Sequence, residues 1–203
     1  MRSVRHGPHI QLIAIPAASQ AIRGLNGPRH VPLFQDGSTK LGFKTMTSLS
    51  SSPEERLAAL GFTLPNVPVP VANYVPFRFA GSLLYLSGQG PKRPDGTYRV
   101  GRLGKDISIE DAYIEAQLTG LQLLAAAKAA LGELSRIEAT VKLLGMVNAE
   151  PDFADHPKVI NGCSDLFVNV LGEAGRHSRS AVGMGSLPNR MAVEIEAIFL
   201  VKL

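Results

Sequence analysis

The chain has 203 residues, with 21 Lys plus Arg, 17 Asp plus Glu, one Cys and no Trp. With 45% hydrophobic and 19% charged residues it has material for a core, which excludes wholesale disorder. No apolar run reaches the roughly 18 residues of a membrane-spanning helix, one Cys cannot form an internal disulfide, and no Cys/His set has structural-zinc spacing.

The charge is uneven. Residues 1–45 carry Arg2, Arg5, Arg23, Arg29, Lys40 and Lys44 against Asp36 alone, so the net +4 is an arm of +5 on a body of −1. A body without a basic surplus argues against nucleic-acid binding. Residues 1–50 show no sustained period and end in the Ser-rich TMTSLSSS. They are expected to be a disordered or non-native arm, with Met46 as the favoured start; an Arg-rich transit peptide is an alternative, and Gln11 and Pro16 break up a secretory core. The expected location is cytoplasmic. The folded domain is then 51–203.

Ser52-Pro53-Glu54-Glu55 opens a short helix: Ser52 can cap it, Pro53 suits its first position, and Glu55 can close a capping box. Gly61 stops it. LPNVPVPVAN (64–73) is extended, since its prolines forbid a helix. A hairpin follows, with strands 74–80 and 83–88 around Gly81-Ser82, and then a loop with a turn at Asp95-Gly96. Ser108 caps the longest helix, about 109–131, whose face runs Ile109, Tyr113, Ala116, Gly120, Leu124, Ala127 and Leu131. Residues 137–143 alternate as a half-buried strand, with Ile137, Ala139, Val141 and Leu143 inward. A second long helix spans about 157–171, and strands at about 178–185 and 192–202 close the chain around Leu187-Pro188-Asn189.

The order β-β-α-β-α-β-β, with segregated helices and hairpins, indicates an α+β fold: a mixed sheet with two helices packed on one face. The other face carries Leu144, Met146, Ile198 and Leu200. That is too apolar for water, so an oligomer with packed sheets is expected.

The residues that could carry chemistry each have two readings. Arg179 is a solvated edge residue or ion-pair member, or a planar fork that clamps a carboxylate. Glu194 and Glu196 form an exposed polar face, or one of them orients and deprotonates water. Ser87-Gly88-Gln89-Gly90 permits a turn, or presents backbone amides. Tyr74 is a core aromatic or a cleft phenol. Asn161, mildly unfavourable within a helix, has a packing or site role. Asp152, Asp155 and His156 read as helix capping rather than metal ligands. Cys163 reads as a buried, inert thiol, and His177 as a base without an accompanying serine or cysteine nucleophile pattern.

Over residues 64–203 the pieces resemble one family. They are Tyr74, LYLSGQGP at 84–91, a long Gln-containing helix, VKLLGMVNAEPDF at 141–153, Asn161 with Phe167, RSAVGMGSLP at 179–188 and VEIEAIFLV at 193–201. Their order and intervals, including the 15 residues from Arg179 to Glu194, resemble the reactive intermediate deaminase (Rid or YjgF) family, also called endoribonuclease L-PSP. The NGCSDLF and GRHSRSAVG segments resemble a divergent branch of it. The resemblance implies a chorismate-mutase-like fold and a homotrimer with clefts between subunits. It implies hydrolysis of amino-acid-derived enamines and imines, such as 2-aminoacrylate, to 2-oxo acids and ammonia, without metal or organic cofactor. In that role Arg179 grips the substrate carboxylate and Glu194 holds the attacking water. Tyr74 positions the substrate, Gly88 and Ala181 offer backbone groups, and Asn161 supports the wall. The chain departs from the family pattern at Val75-Pro76, where Ser-Gln is typical. It departs again at Ala181, often a Cys, and in four extra residues between Phe153 and Asn161. The rival expectations are a trimeric binder or sensor of small carboxylates such as 2-oxo acids, and RNA cleavage.

Overall fold

The computed structural model describes residues 51–67, 72–93 and 95–203. The readings for the arm, residues 1–50, and for positions 68–71 lie outside them.

Helix α1 (Pro53–Ala59) begins with the capping box read from the sequence: Ser52 Oγ accepts from Glu55 N, and Glu55 Oε2 accepts from Ser52 N at 2.7 Å. Two cross-links fasten it. Glu54 Oε1 accepts from Lys128 Nζ and Leu134 N, and Arg56 Nε donates to Val170 O.

Strands β1 (Phe77–Ala80) and β2 (Leu83–Gln89) form the hairpin. Helix α2 (Ile109–Leu131) is capped by Ser108 and ends at Gly132, the bounds its periodicity predicts. Strand β3 (Ile137–Asn148), helix α3 (His156–Leu171), strand β4 (Ser178–Met184) and strand β5 (Val193–Val201) complete the chain. The sheet order is β1-β2-β5-β3-β4. All pairs are antiparallel except β3–β4, whose connection runs through α3. The expected α+β fold is therefore present.

The core lies between the sheet and the helices α2 and α3. Val193, Ile195, Ala197, Phe199 and Val201 of β5 face it together with Leu123 and Leu124 of α2 and Ile160 and Phe167 of α3. The two helices approach so closely that a Cβ on Gly162 would overlap Tyr113 O; only glycine permits that approach.

One strand differs from its expected pattern. Register shifts at Ile137/Ala139 and Thr140/Lys142 put bulges into β3. Each adds a residue on one strand and exchanges the faces beyond it. Thr140 is therefore buried and Val141 is 40% exposed, the reverse of simple alternation. Asp155 differs too: it sits at the start of α3 but makes no capping hydrogen bond, and pairs instead with Lys158.

The face away from the helices carries Tyr85, Leu144, Met146, Val182, Ile198 and Leu200, as the register Met146↔Glu194, Met146↔Val182, Lys142↔Ile198 and Tyr85↔Ile198 requires. Tyr85 and Val182 are about two-fifths exposed, at 41% and 39%. Among the described residues nothing covers this face.

Candidate active site

Arg179 and Ala181 lie in β4, at the edge of the sheet. Register pairs Arg179 with Leu143 and Ala181 with Gly145, so both point to the helix side. There α3 supplies a row of acceptors one helical turn apart. Arg179 Nη1 donates to Ser164 Oγ at 2.8 Å. Its Nη2 donates to Asn161 Oδ1 at 2.7 Å and to Pro157 O at 3.3 Å. Asn161 inside the helix is thus explained: it holds the guanidinium. Arg179 is half-buried and, among the described residues, pairs with no carboxylate. Its remaining N–H donors have no acceptor among the described residues, beside the edge strand β4.

Glu194 lies on the opposite face of the sheet, beside Met146. It is half-buried, whereas Glu196, two residues on, is exposed. Burial pushes the Glu194 carboxyl above the usual carboxylate range, and the charge of Glu196 adds to the shift. The carboxylate lies against β2 at Gly88, where any Cβ would overlap Glu194 Oε1 and crowd its Cδ at 3.2 Å. Gly88 has no positive φ, so glycine serves here to make room rather than to turn the chain. Gly88→Ala is therefore expected to fold normally but displace the carboxylate. Melting temperature should stay near wild type; if Glu194 is the working base of an enzyme, kcat should fall roughly 10-fold or more, since small misplacements of a catalytic group have large effects.

The segment that carries Tyr74 is tied to β2 next to Gly88. Ser87 Oγ donates to Val75 O at 2.7 Å and Ser87 N donates to Pro76 O at 3.0 Å, which straps the Tyr74–Pro76 segment to the Gly88 end of β2. Tyr74 is 51% exposed, so it is a surface phenol and not a core aromatic.

The six site residues thus fall into two groups. Arg179, Asn161 and Ala181 lie on the helix side at the β4 edge, Glu194 and Gly88 on the other face over β2 and β5, and Tyr74 on the segment tied to that end of β2. Arg179 is level with Leu143 and Ala197, so Glu194 is two strands across and three residues along. At about 4.8 Å per strand and 3.3 Å per residue, the backbones are roughly 14 Å apart. With the sheet between them, a three-carbon ligand cannot touch both groups in one chain.

Sequence reasoning missed two features. Ser164 Oγ lies 2.9 Å from His177 Nε2, and His177 Nδ1 lies 2.6 Å from Gly175 O. His177 therefore does have a serine partner. The signal was present, since Ser164 follows Asn161 by one helical turn and His177 precedes Arg179 by two strand positions. The second feature is Glu115, fully buried in α2 under Arg93 and Arg99. Burial raises its pKa and the two cations oppose that rise. This cluster fastens the loop after β2 to α2. A cavity of about 600 Å³ beside it is bordered by Leu64, Asn66, Lys92, Arg93 and Gln122, none of them in the two groups above. Cys163 is fully buried, and burial pushes its thiol far up, so it is inert. Among the described residues no cluster of three or more His, Cys, Asp or Glu could hold a metal ion, and no helix is long and apolar enough to cross a membrane.

The chain is similar to known proteins of one family. Residues 54–196 match the family described as "YjgF/chorismate_mutase-like, putative endoribonuclease". The chain is 41% identical over 143 residues to Protein TCP17 of Trypanosoma cruzi, covering 70% of this chain and 89% of that protein. It is 47% identical to Atu1372 of Agrobacterium tumefaciens, a protein of unknown function, with a TM-score of 0.70 over 74% of this chain and 92% of that one. It is 36% identical to a "putative endoribonuclease" of Shewanella oneidensis, with a TM-score of 0.72 over 74% of this chain and all of that one. The chain belongs to the YjgF (Rid) family.

Proposed function

We propose that the protein hydrolyses imines and enamines derived from amino acids, releasing 2-oxo acids and ammonia, in clefts formed between copies of a homotrimer. The observation that carries this reading is the Arg179 clamp. It is a half-buried cation without a carboxylate partner among the described residues, held by three acceptors of α3. Such a site suits the carboxylate of a 2-imino acid. The water-activating group is Glu194, whose half-buried carboxyl is held above the usual carboxylate range by burial and by Glu196, which makes it a stronger base than an exposed glutamate. It takes a proton from water as the oxygen attacks the imine carbon. With the imine nitrogen protonated, attack gives a neutral carbinolamine; Glu194 returns its proton to the amine, and takes the hydroxyl proton as the C=O forms and ammonia leaves. The imine carbon is already electrophilic, so anchoring and one positioned base suffice.

The separation of the two groups supports an inter-subunit cleft: Arg179 of one copy faces Glu194, Gly88 and Tyr74 of another. The uncovered apolar face supplies the contact.

The pH profile tests the assignment of Glu194. The ionised form is the active base, so kcat/KM should rise through its raised pKa and place the acid limb above the ordinary glutamate range. Glu196 contributes to the rise, so Glu196→Gln should move that limb to lower pH. An unmoved limb would assign the titration to another group.

The function itself is tested by generating 2-aminoacrylate or 2-iminopropionate in situ and following imine loss with added protein, using Arg179→Ala as control. Acceleration that depends on Arg179 supports the reading. A second reading keeps the Arg179 clamp without turnover, as a binder of 2-oxo acids. It is favoured by Val75-Pro76 and Ala181, which replace side chains typical of active family members. Tight 2-oxo acid binding without imine loss would select it. RNA cleavage that separates from the trimer, or that survives Arg179→Ala, would count against a ribonuclease reading.

A further inference from the structure

We propose that Ser164 and His177 are positioning residues that fix the Arg179 guanidinium for its carboxylate ligand; the inference rests on Arg179 being the anchor.

The hydrogen-bond polarity of the group is determined. Gly175 O can only accept, so His177 Nδ1 carries the proton. In a neutral imidazole Nε2 then accepts, and the Ser164 hydroxyl donates to it. Burial holds His177 below the ordinary histidine range, and the charge of Arg179 adds to that, so the neutral ring is the stable form. The hydroxyl proton being committed, the Ser164 lone pairs face Arg179, whose guanidinium can only donate. The chain therefore runs in one direction: Arg179 to Ser164 to His177 to the Gly175 carbonyl. Rotation of the Ser164 hydroxyl would set its proton against Nη1, and His177 prevents that rotation.

Packing fixes the other end. His177 lies edge-on to Phe167, with ring centroids 6.2 Å apart, and Phe167 is fully buried against Phe199. The guanidinium is thereby referenced to the core through one hydroxyl and one ring. Asn161 and the Pro157 carbonyl restrain only its other nitrogen.

The test uses the full chain and pyruvate as probe. Ser164→Ala should weaken pyruvate binding and raise KM for the imine about 10-fold, with kcat nearly unchanged, because the anchor loosens while Glu194 is untouched. His177→Phe keeps the ring packing but removes the acceptor, and should act likewise. Ser164→Thr keeps the hydroxyl and should restore binding. Nitrogen-15 spectra of arginine-labelled protein report Arg179 directly: slow rotation of its Nη groups in wild type should become fast in Ser164→Ala.

Unchanged pyruvate affinity in both Ser164→Ala and His177→Phe, or unchanged Arg179 rotation, would overturn the positioning role. Failure of the anchor reading looks different: Arg179→Lys would bind pyruvate like wild type. Absence of imine turnover alone leaves the binding and rotation measurements decisive for the inference.

Discussion

Arg179→Lys is expected to lower kcat/KM for imine hydrolysis about 100-fold, with little change in melting temperature. The size follows from the geometry. The guanidinium already donates to Ser164, Asn161 and Pro157 and still has N–H donors for a ligand. An ammonium has three donors on one atom and cannot reach α3 and the substrate carboxylate together. A hydrogen bond to a charged group is worth about 1.5–3 kcal/mol, so losing one prong spans roughly 10- to 160-fold. Most of the loss should appear in KM, because the carboxylate is held in ground state and transition state alike. Steady-state kinetics with imine generated in situ checks it; a Lys variant within a factor of three of wild type would remove Arg179 from the site.

The second large effect belongs to Glu194→Gln. The amide fits the same space against Gly88 but cannot accept a proton. kcat should fall about 10²- to 10⁴-fold, the usual range for loss of a general base, while KM stays within a few-fold. Stability should move the opposite way. A raised carboxyl pKa means that the folded chain binds the proton more tightly than the unfolded chain. Stability is therefore lost as pH rises from the unfolded pKa toward the folded one, and above both the ionised group remains a liability. A neutral Gln removes that liability, so at neutral pH the variant should melt no lower than wild type. Falling activity with a steady or raised melting temperature separates a catalytic role from a structural one.

Much of the fold could be read from the sequence because its signals are local. The Ser52–Glu55 capping box, the Ser108 cap and the Gly132 stop each act within a few residues, and the structure has all three. The bulges in β3 carry no such local signal. They arise from pairing with β5, so the burial of Thr140 in place of Val141 could not be inferred from alternation. The candidate site follows the same division. Arg179 and Glu194 could be singled out individually, by residue type and by family resemblance. Their placement on opposite faces depends on the β3–β4 and β3–β5 registers, which one sequence does not encode at short range. Buried Glu115 was hidden for a related reason: its partners Arg93 and Arg99 come from a loop whose path is tertiary.

In the proposed function a working cleft takes Arg179 from one copy and Glu194 from another. The most direct measurement mixes Arg179→Ala chains with Glu194→Gln chains, each nearly inactive alone, reassembles them together and assays imine loss. Random equimolar assembly would give about one cleft in four both intact residues. Recovery to about a quarter of wild-type activity is therefore expected. A mixture as inactive as its parents, with reassembly verified by mass, would contradict it.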